Sequence, residues 1–215
     1  MPGVLVPLAE QSGLITEIGG WVLAHACPDR NRWDGHSQTD DLTMAVNVSA
    51  SQLMSADFTA TVGEVLENTG TDPRLLTLEI TESVFVQDSE RARVVLRELK
   101  RIGVNLALDD FGTGYSSLSY LDHFPIDIVK IDQSFIAAMN QESATHIIVS
   151  AVVELAHALG MTVVAEGVET RQQRDELNSL GCDHCQGYYF AHPMSADDLD
   201  VLVGDRDAGS MLHLP

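Results

Sequence analysis

Residues Gly103–Ser117 read Gly-Val-Asn-Leu-Ala-Leu-Asp-Asp-Phe-Gly-Thr-Gly-Tyr-Ser-Ser. A glycine stops a helical pattern, a short apolar run follows, and the run ends in two adjacent carboxylates and a glycine-rich loop. A glycine placed just past a helix and just before a strand is the αβ-loop chemistry of a parallel sheet.

Working outward, the same unit recurs at intervals of roughly 20 to 35 residues, the length of a βα repeat. Six apolar, β-branched runs predict strands: Met44–Val48, Leu75–Ile80, Val104–Leu108, Ile126–Ile131, Thr162–Ala165 and Cys185–Phe190. Most are continuously apolar, as strands covered on both faces should be. Between them lie helical patterns. Asp88 or Ser89 caps a stripe of Val95, Leu96, Leu99 and Ile102, stopped by Gly103. A second stripe, Ile148, Val152, Leu155 and Leu159, is stopped by Gly160, and Thr170 with Gln173 forms a capping box for a helix that Gly181 ends. Residues 9–26 read as an opening helix, Ser51–Asn68 as another, and Asp29–Asp41 as a polar loop.

Strand–helix alternation fits an open doubly wound sheet or a closed eight-stranded barrel. The position of the polar residues separates them. Asn47, Glu79, the pair Asp109 and Asp110, Lys130, and Glu166 fall in or just beyond the ends of five different runs, and Gln186 lies within the last. An open sheet gathers ligand groups at one switch point, whereas a barrel gathers them from the C-terminal ends of many strands. The expectation is therefore an α/β protein of the TIM-type (β/α)8 class, incomplete, with about six strands present and the N-terminal ones missing. Residues 1–204 form that barrel domain and 205–215 a weakly patterned C-terminal tail.

The chain has 215 residues and a formal net charge of -20. That charge argues against nucleic-acid polymers and anionic membranes as partners, since both need basic patches. It also means that a phosphate-bearing substrate would be repelled unless bound cations invert the local field. No apolar run is long enough to cross a membrane, and the N-terminus has no basic region followed by an apolar stretch, so a cytoplasmic location is expected. The three cysteines, Cys27, Cys182 and Cys185, fit a reduced compartment. Cys182 and Cys185 form a C-x-x-C without a second pair at zinc spacing, and read as small core residues on a strand.

Adjacent carboxylates such as Asp109 and Asp110 resist ionising together unless a cation is shared between them. Alone they could be an acidic turn; with the loop to Ser117 they read as a site. Glu79 sits in an apolar strand, where a carboxylate without a partner is destabilising. Asn47, otherwise a turn asparagine, adds a neutral oxygen. Lys130 is a cation inside an apolar strand that needs a carboxylate partner or a catalytic task, and Glu166 ends the next strand; a structural ion pair is the plain alternative. The oxygen donors Asn47, Glu79, Asp109, Asp110 and Glu166 suit Mg²⁺ or Mn²⁺. Two hard cations bridged by a carboxylate are an arrangement for in-line attack on a phosphodiester. Lys130 would hold the attacking water, Glu166 would ligate metal or accept a proton, and Gln186 would orient water or a substrate oxygen.

The strings at 7–15 (Pro-Leu-Ala-Glu-Gln-Ser-Gly-Leu-Ile), 46–53 (Val-Asn-Val-Ser-Ala-Ser-Gln-Leu), 78–83 (Leu-Glu-Ile-Thr-Glu-Ser), 109–117, 129–135 (Val-Lys-Ile-Asp-Gln-Ser-Phe), 163–170 (Val-Val-Ala-Glu-Gly-Val-Glu-Thr) and 186–190 (Gln-Gly-Tyr-Tyr-Phe) resemble the EAL domain family. The resemblance runs from Pro2 to about residue 203. It implies a TIM-type barrel and metal-dependent hydrolysis of cyclic di-GMP to linear pGpG. By position it implies that Asn47, Glu79 and Asp109 ligate a first metal, and Asp109, Asp110 and Glu166 a second. It makes Lys130 the contact of the nucleophilic water, Glu82 the brace of the loop 111–117, which couples the site to homodimerisation, and Gln186 a neighbour of the site. The family's Glu-Ala-Leu strand, whose Glu ligates the first metal, has no counterpart here, so a weakened first metal site is expected. Three readings stay open: a cyclic di-GMP hydrolase, a catalytically impaired cyclic di-GMP-binding or protein-interaction module, and an unrelated metal-dependent barrel enzyme.

Overall fold

A computed structural model of the chain describes residues 2–34, 42–112, 123–139 and 144–207. The chain divides into two compact units: Met1–Ile80, Val84–Asn105 and Met194–Pro215 form one, Thr81–Ser83 and Leu106–Pro193 the other.

The first unit holds α1 (Pro2–Ser12), α2 (Ile15–Asn31), β1 (Met44–Val48), α3 (Ala50–Leu53), α4 (Phe58–Thr69), most of β2 (Leu76–Thr81) and α5 (Ser83–Gln87), and all of α6 (Ser89–Ile102). β1 and β2 pair in parallel, Val46 against Leu78 and Asn47 against Glu79. α6 forms as its sequence dictates. The Asp88 carboxylate accepts the Arg91 N–H at 3.0 Å, Gly103 closes the helix by donating to the Leu99 carbonyl, and Leu96 and Leu99 are fully buried. Each such leucine contributes on the order of 1.5–3 kcal/mol by leaving water. The last helix of the described residues, Ala196–Asp207 (α10 in chain order), runs past the start of the expected tail. It is tied to α2's end: Trp33 donates its indole N–H to Asp200 at 2.6 Å, and Arg32 pairs with Asp197 at 2.8 Å and with Asp200.

The second unit carries nearly all of β3 (Asn105–Phe111), then β4 (Ile128–Ile131), α7 (Gln133–Ala138), α8 (Ala144–Ala158), β5 (Thr162–Ala165), α9 (Arg171–Ser179) and β6 (His184–Cys185). Its strands pair in parallel and in chain order. Two aspartates splice their N-terminal ends. Asp127 accepts the Leu106 N–H at 2.8 Å, and its carbonyl accepts the Thr162 N–H at 2.9 Å. Asp183 accepts both the Val163 N–H and the His157 imidazole at 2.8 Å. The described residues thus hold six strands with parallel pairing, against the eight of a complete (β/α)8 barrel, which is the incomplete α/β class expected. None of their helices is long and apolar enough to cross a membrane.

Four local expectations are corrected. The opening helix is two, because Gly13 turns the chain at φ +76° between α1 and α2. The helix expected over Ser51–Asn68 also splits: Ser49 caps α3, whose last turn closes at Met54, and the polar Ser55–Asp57 stretch precedes α4. Short polar side chains compete with the backbone for hydrogen bonds and favour such breaks. The last strand ends at Cys185, so Gln186 lies past it, and the strand does not reach Phe190. The reason is Gly187, where a Cβ would sit 2.2 Å from the Val168 carbonyl oxygen; the chain crosses another backbone there and turns, Phe190 N–H to Gly187 O. Finally, α8 buries Val149, Val153 and Ala156, while Ile148 is 47% exposed.

Gly19 in α2 shows how tightly the first unit is fitted. A Cβ there would lie 1.6 Å from Gln52 Nε2. Gln52 cannot step aside freely, because it is buried and its Oε1 accepts the Ser49 N–H in the capping box of α3. Gly19→Ala is expected to destabilise the fold by about 1–3 kcal/mol, the range for overpacking. Gly20→Ala, whose Cβ would meet only Thr61 Cγ2 at 3.8 Å, is expected to stabilise by up to about 1 kcal/mol through helix propensity. Urea denaturation of the two variants checks the contrast.

Candidate metal centre

β3 ends irregularly. Its register against β4 holds from Ala107 to Leu108, then shifts before Phe111 pairs with Ile131. Within the shift Asp110 adopts φ +54°, the left-handed region that aspartate tolerates better than most residues. Successive residues of a regular strand point to opposite faces; a bulge re-aims one of them. Here Asp109 is buried and Asp110 exposed, yet carboxylate oxygens of both converge with one of Glu166, all within 4.8 Å of one another. Glu166 follows β5 and is held by its own N–H, which donates to the Ile131 carbonyl at 3.1 Å.

Lys130, on β4 between these carboxylates, is 5% exposed. Its Nζ lies 2.9 Å from Asp109 Oδ1 and 2.7 Å from Glu166 Oε1. Both oxygens are needed, because a buried ammonium without partners would be strongly destabilising. Three carboxylates around one ammonium still leave an excess of two negative charges. Asp110 registers that excess. Desolvation raises its pKa above the usual carboxylate value, and the charges of Asp109, Asp132 and Glu82 add to the rise against the opposing pull of Lys130.

Glu82 lies between β2 and the body of α5. Its Oε1 accepts the Gly112 N–H at 3.3 Å. Gly112 has φ +100°, and a Cβ there would meet the Phe135 ring at 2.6 Å. The strand exit is thus fixed from two sides. The remainder of the loop beyond Gly112, with the dimer contact expected near it, lies outside the described residues.

Gln186 is fixed by its backbone, its N–H donating to Ala165 O at 2.8 Å and its carbonyl accepting from Val168 N–H at 3.0 Å. With Glu166 it lines a cavity of about 240 Å³ that also involves Gln133, Glu169 and Tyr188. Sequence reasoning missed those last three. The signal was present, since Gln133 and Glu169 stand two or three positions beyond Ile131 and Glu166, on the same strand-end loops.

Of the predicted residues, the second unit brings Asp109, Asp110, Glu166 and Lys130 together, with Glu82 bracing the exit of β3 and Gln186 beside Glu166. Asn47 and Glu79 belong to the first unit, where they are register partners on β1 and β2, the one exposed and the other buried. Parallel register partners project to the same face of their sheet.

The second unit's cluster fits a hard divalent cation. Its donors are all oxygens, its charge is in excess, and Asp109 Oδ1, although in ion-pair range of Lys130, is buried without a hydrogen bond of good geometry. Proton-binding groups of this kind can be satisfied by a cation.

The EAL domain family pattern matches residues 1–193. The bifunctional diguanylate cyclase/cyclic di-GMP phosphodiesterase MucR of Pseudomonas aeruginosa is 43% identical over 200 residues, covering 92% of this chain and 29% of its own length. This chain spans between a quarter and a third of such relatives, 25% in another case. Among solved structures, the PaMucR phosphodiesterase in complex with c-di-GMP superposes with a TM-score of 0.87 at 42% identity, over 93% of this chain and 80% of that one. The manganese/cy-diGMP complex of Klebsiella pneumoniae BlrP1 gives 0.75 at 31% identity, over 83% of this chain and 45% of that one. With the family pattern spanning nine-tenths of its length and its strand-end acids gathered as described, the chain belongs to the EAL domain family.

Proposed function

We propose that this chain hydrolyses one phosphodiester bond of cyclic di-GMP, giving linear pGpG, with Mg²⁺ or Mn²⁺ as cofactor. The observation that carries the reading is the convergence of Asp109, Asp110 and Glu166 around the buried Lys130. It is supported by two of the similar structures, the PaMucR phosphodiesterase in complex with c-di-GMP and the manganese/cy-diGMP complex of BlrP1.

Asp109, Asp110 and Glu166 would hold one cation; Asn47 and Glu79 are the side chains of the first unit that the family resemblance assigns to metal binding. The cations would supply Lewis-acid charge, which screens the phosphate from a protein of net charge -20 and acidifies water. The chain's own groups do the rest. Lys130 donates to the attacking water's oxygen and holds Asp109 and Glu166 in place. Glu166 accepts the water's proton. Gln186, beside Glu166, orients a substrate oxygen. Glu82 fixes Gly112, and through it the exit of the strand that carries the two aspartates.

The direct test is incubation of the purified chain with cyclic di-GMP and Mg²⁺ or Mn²⁺, followed by chromatography. The expected product is pGpG. Nucleotide binding without product would instead establish a binding module. Glu166→Gln and Lys130→Ala are expected to lower kcat by about 10² to 10⁴, the range for loss of a positioned proton-transfer group. A circular-dichroism melt of each separates this loss from unfolding, because Lys130→Ala leaves the buried Asp109 and the half-buried Glu166 facing each other.

Asp110→Asn isolates the cation's effect on stability. With its pKa raised in the fold, Asp110 favours the folded state only where it is protonated, and that contribution is lost as pH rises through the raised pKa. At neutral pH and without metal, the amide is expected to stabilise the fold by roughly 0.5 kcal/mol, a small figure because solvent screens this exposed group. In the parent chain, saturating Mn²⁺ is expected to raise stability by about 2.7 kcal/mol at a hundred times Kd. In Asp110→Asn the Mn²⁺-induced shift in Tm should shrink to a fraction of the parent's. Differential scanning fluorimetry with and without Mn²⁺ reads both signs.

A further inference from the structure

Cys182 and Cys185 lie on either side of the turn that feeds β6. Cys182 is 7% exposed, and its Sγ lies 3.2 Å from the His184 carbonyl and 3.6 Å from the Val163 carbonyl. Cys185 is half-buried on β6, in register with Ala165. Cys182 Sγ packs on the carbonyl of His184, the residue bonded to Cys185, so the two thiols belong to one tight turn. Both are free thiols, and the third cysteine, Cys27, is buried and belongs to the other compact unit. A core-filling role does not require two thiols in one tight turn with one of them partly exposed.

We propose that Cys182 and Cys185 are a dithiol modification site that closes reversibly to an intramolecular disulfide on reaction with a small-molecule disulfide of the oxidised-glutathione class. Cys185 is the attacking group. It is the more exposed of the two, and the hydrogen bond from Cys182, helped by the charge of Arg174, lowers its pKa to about 7 against the effect of burial. The Cys185 thiolate forms a bond to one sulfur of the reagent, whose S–S bond breaks and releases one thiolate with the electron pair. Cys182 then loses its proton and attacks Cys185 Sγ, which expels the second thiolate. Two protein thiols have lost two electrons and two protons, and the reagent departs as two thiols. The site is separate from the metal cluster and does not depend on the reading of the activity. Cys185 lies one residue before Gln186, whose backbone hydrogen bonds join Ala165 and Val168.

The test uses the full chain, incubated with oxidised glutathione at neutral pH, quenched with acid, alkylated and mapped by mass spectrometry after trypsin. The expected result is a peptide following Arg174 that is two hydrogens lighter, no retained glutathione, and Cys27 alkylated. Cys182→Ser is expected to retain one glutathione on Cys185, because the resolving thiol is gone. Cys185→Ser is expected to lose thiols at least roughly tenfold more slowly, since the remaining thiol is buried. The proposal is overturned if the parent chain keeps both thiols, if it holds a lasting mixed disulfide at Cys185, or if the linkage formed is between two chains. The parent result stands by itself if either serine variant fails to fold.

Discussion

The second unit is organised around one buried cation. Lys130 on β4 has no water to solvate its ammonium, so Asp109 from the preceding strand and Glu166 from the following one must reach it. Truncating Lys130 would cost about 3–5 kcal/mol, because Asp109 and Glu166 would be left facing each other without a countercharge. That cost fixes three strand ends relative to one another more firmly than backbone pairing alone. The parallel register does the coarse placement, with Lys130 opposite Val164 and Ile131 opposite Ala165. The charges do the fine placement.

The same constraint explains the irregular end of β3. A regular strand would send Asp109 and Asp110 to opposite faces, and only one could join the cluster. The register shift and the left-handed Asp110 bring both carboxylates to one side at the cost of backbone strain and charge repulsion. Strain of this kind persists where the surroundings over-determine the conformation. Here Glu82 holds Gly112 from one side and Phe135 packs against it from the other. The resulting cluster suits a cation better than it suits itself.

How much of this could be read in the sequence depends on how many physical demands each residue answers. β1 and β5 were legible to the residue, because continuous apolar runs bounded by polar or glycine-rich stretches have one reading. α6 was legible because capping, glycine stop and apolar stripe agree. α8 was not. Ile147, Ile148, Val149, Val152, Val153 and Leu155 make it apolar on more than one face, so periodicity could not choose which face is buried. The face formed by Ile148, Val152 and Leu155 instead lines an open cavity of about 380 Å³ with Phe111, Gly112 and Phe135. The end of β6 failed for another reason: Gln-Gly-Tyr-Tyr-Phe has strand composition, but Gly187 marks a backbone crossing, and a crossing partner is invisible to local pattern.

The members of the charged cluster were easier to single out in the sequence than the fold details, and the reason is energetic. Charged residues inside apolar strands are rare because burial penalises them, so each one signals a partner. Lys130 within Ile-Val-Lys-Ile and Glu79 within Leu-Glu-Ile could be singled out without knowing what surrounds them. What sequence could not supply was the bulge, since Asp-Asp gives no sign of a register shift. Nor could it supply the placement of the thiols, because C-x-x-C says only that two sulfurs are near in the chain. Whether they face each other depends on the turn between them and on the strand that receives it. The signals that survive translation from sequence are those in which a single residue pays a large penalty in the absence of its partner. Signals that need two backbone segments to meet must wait for the structure.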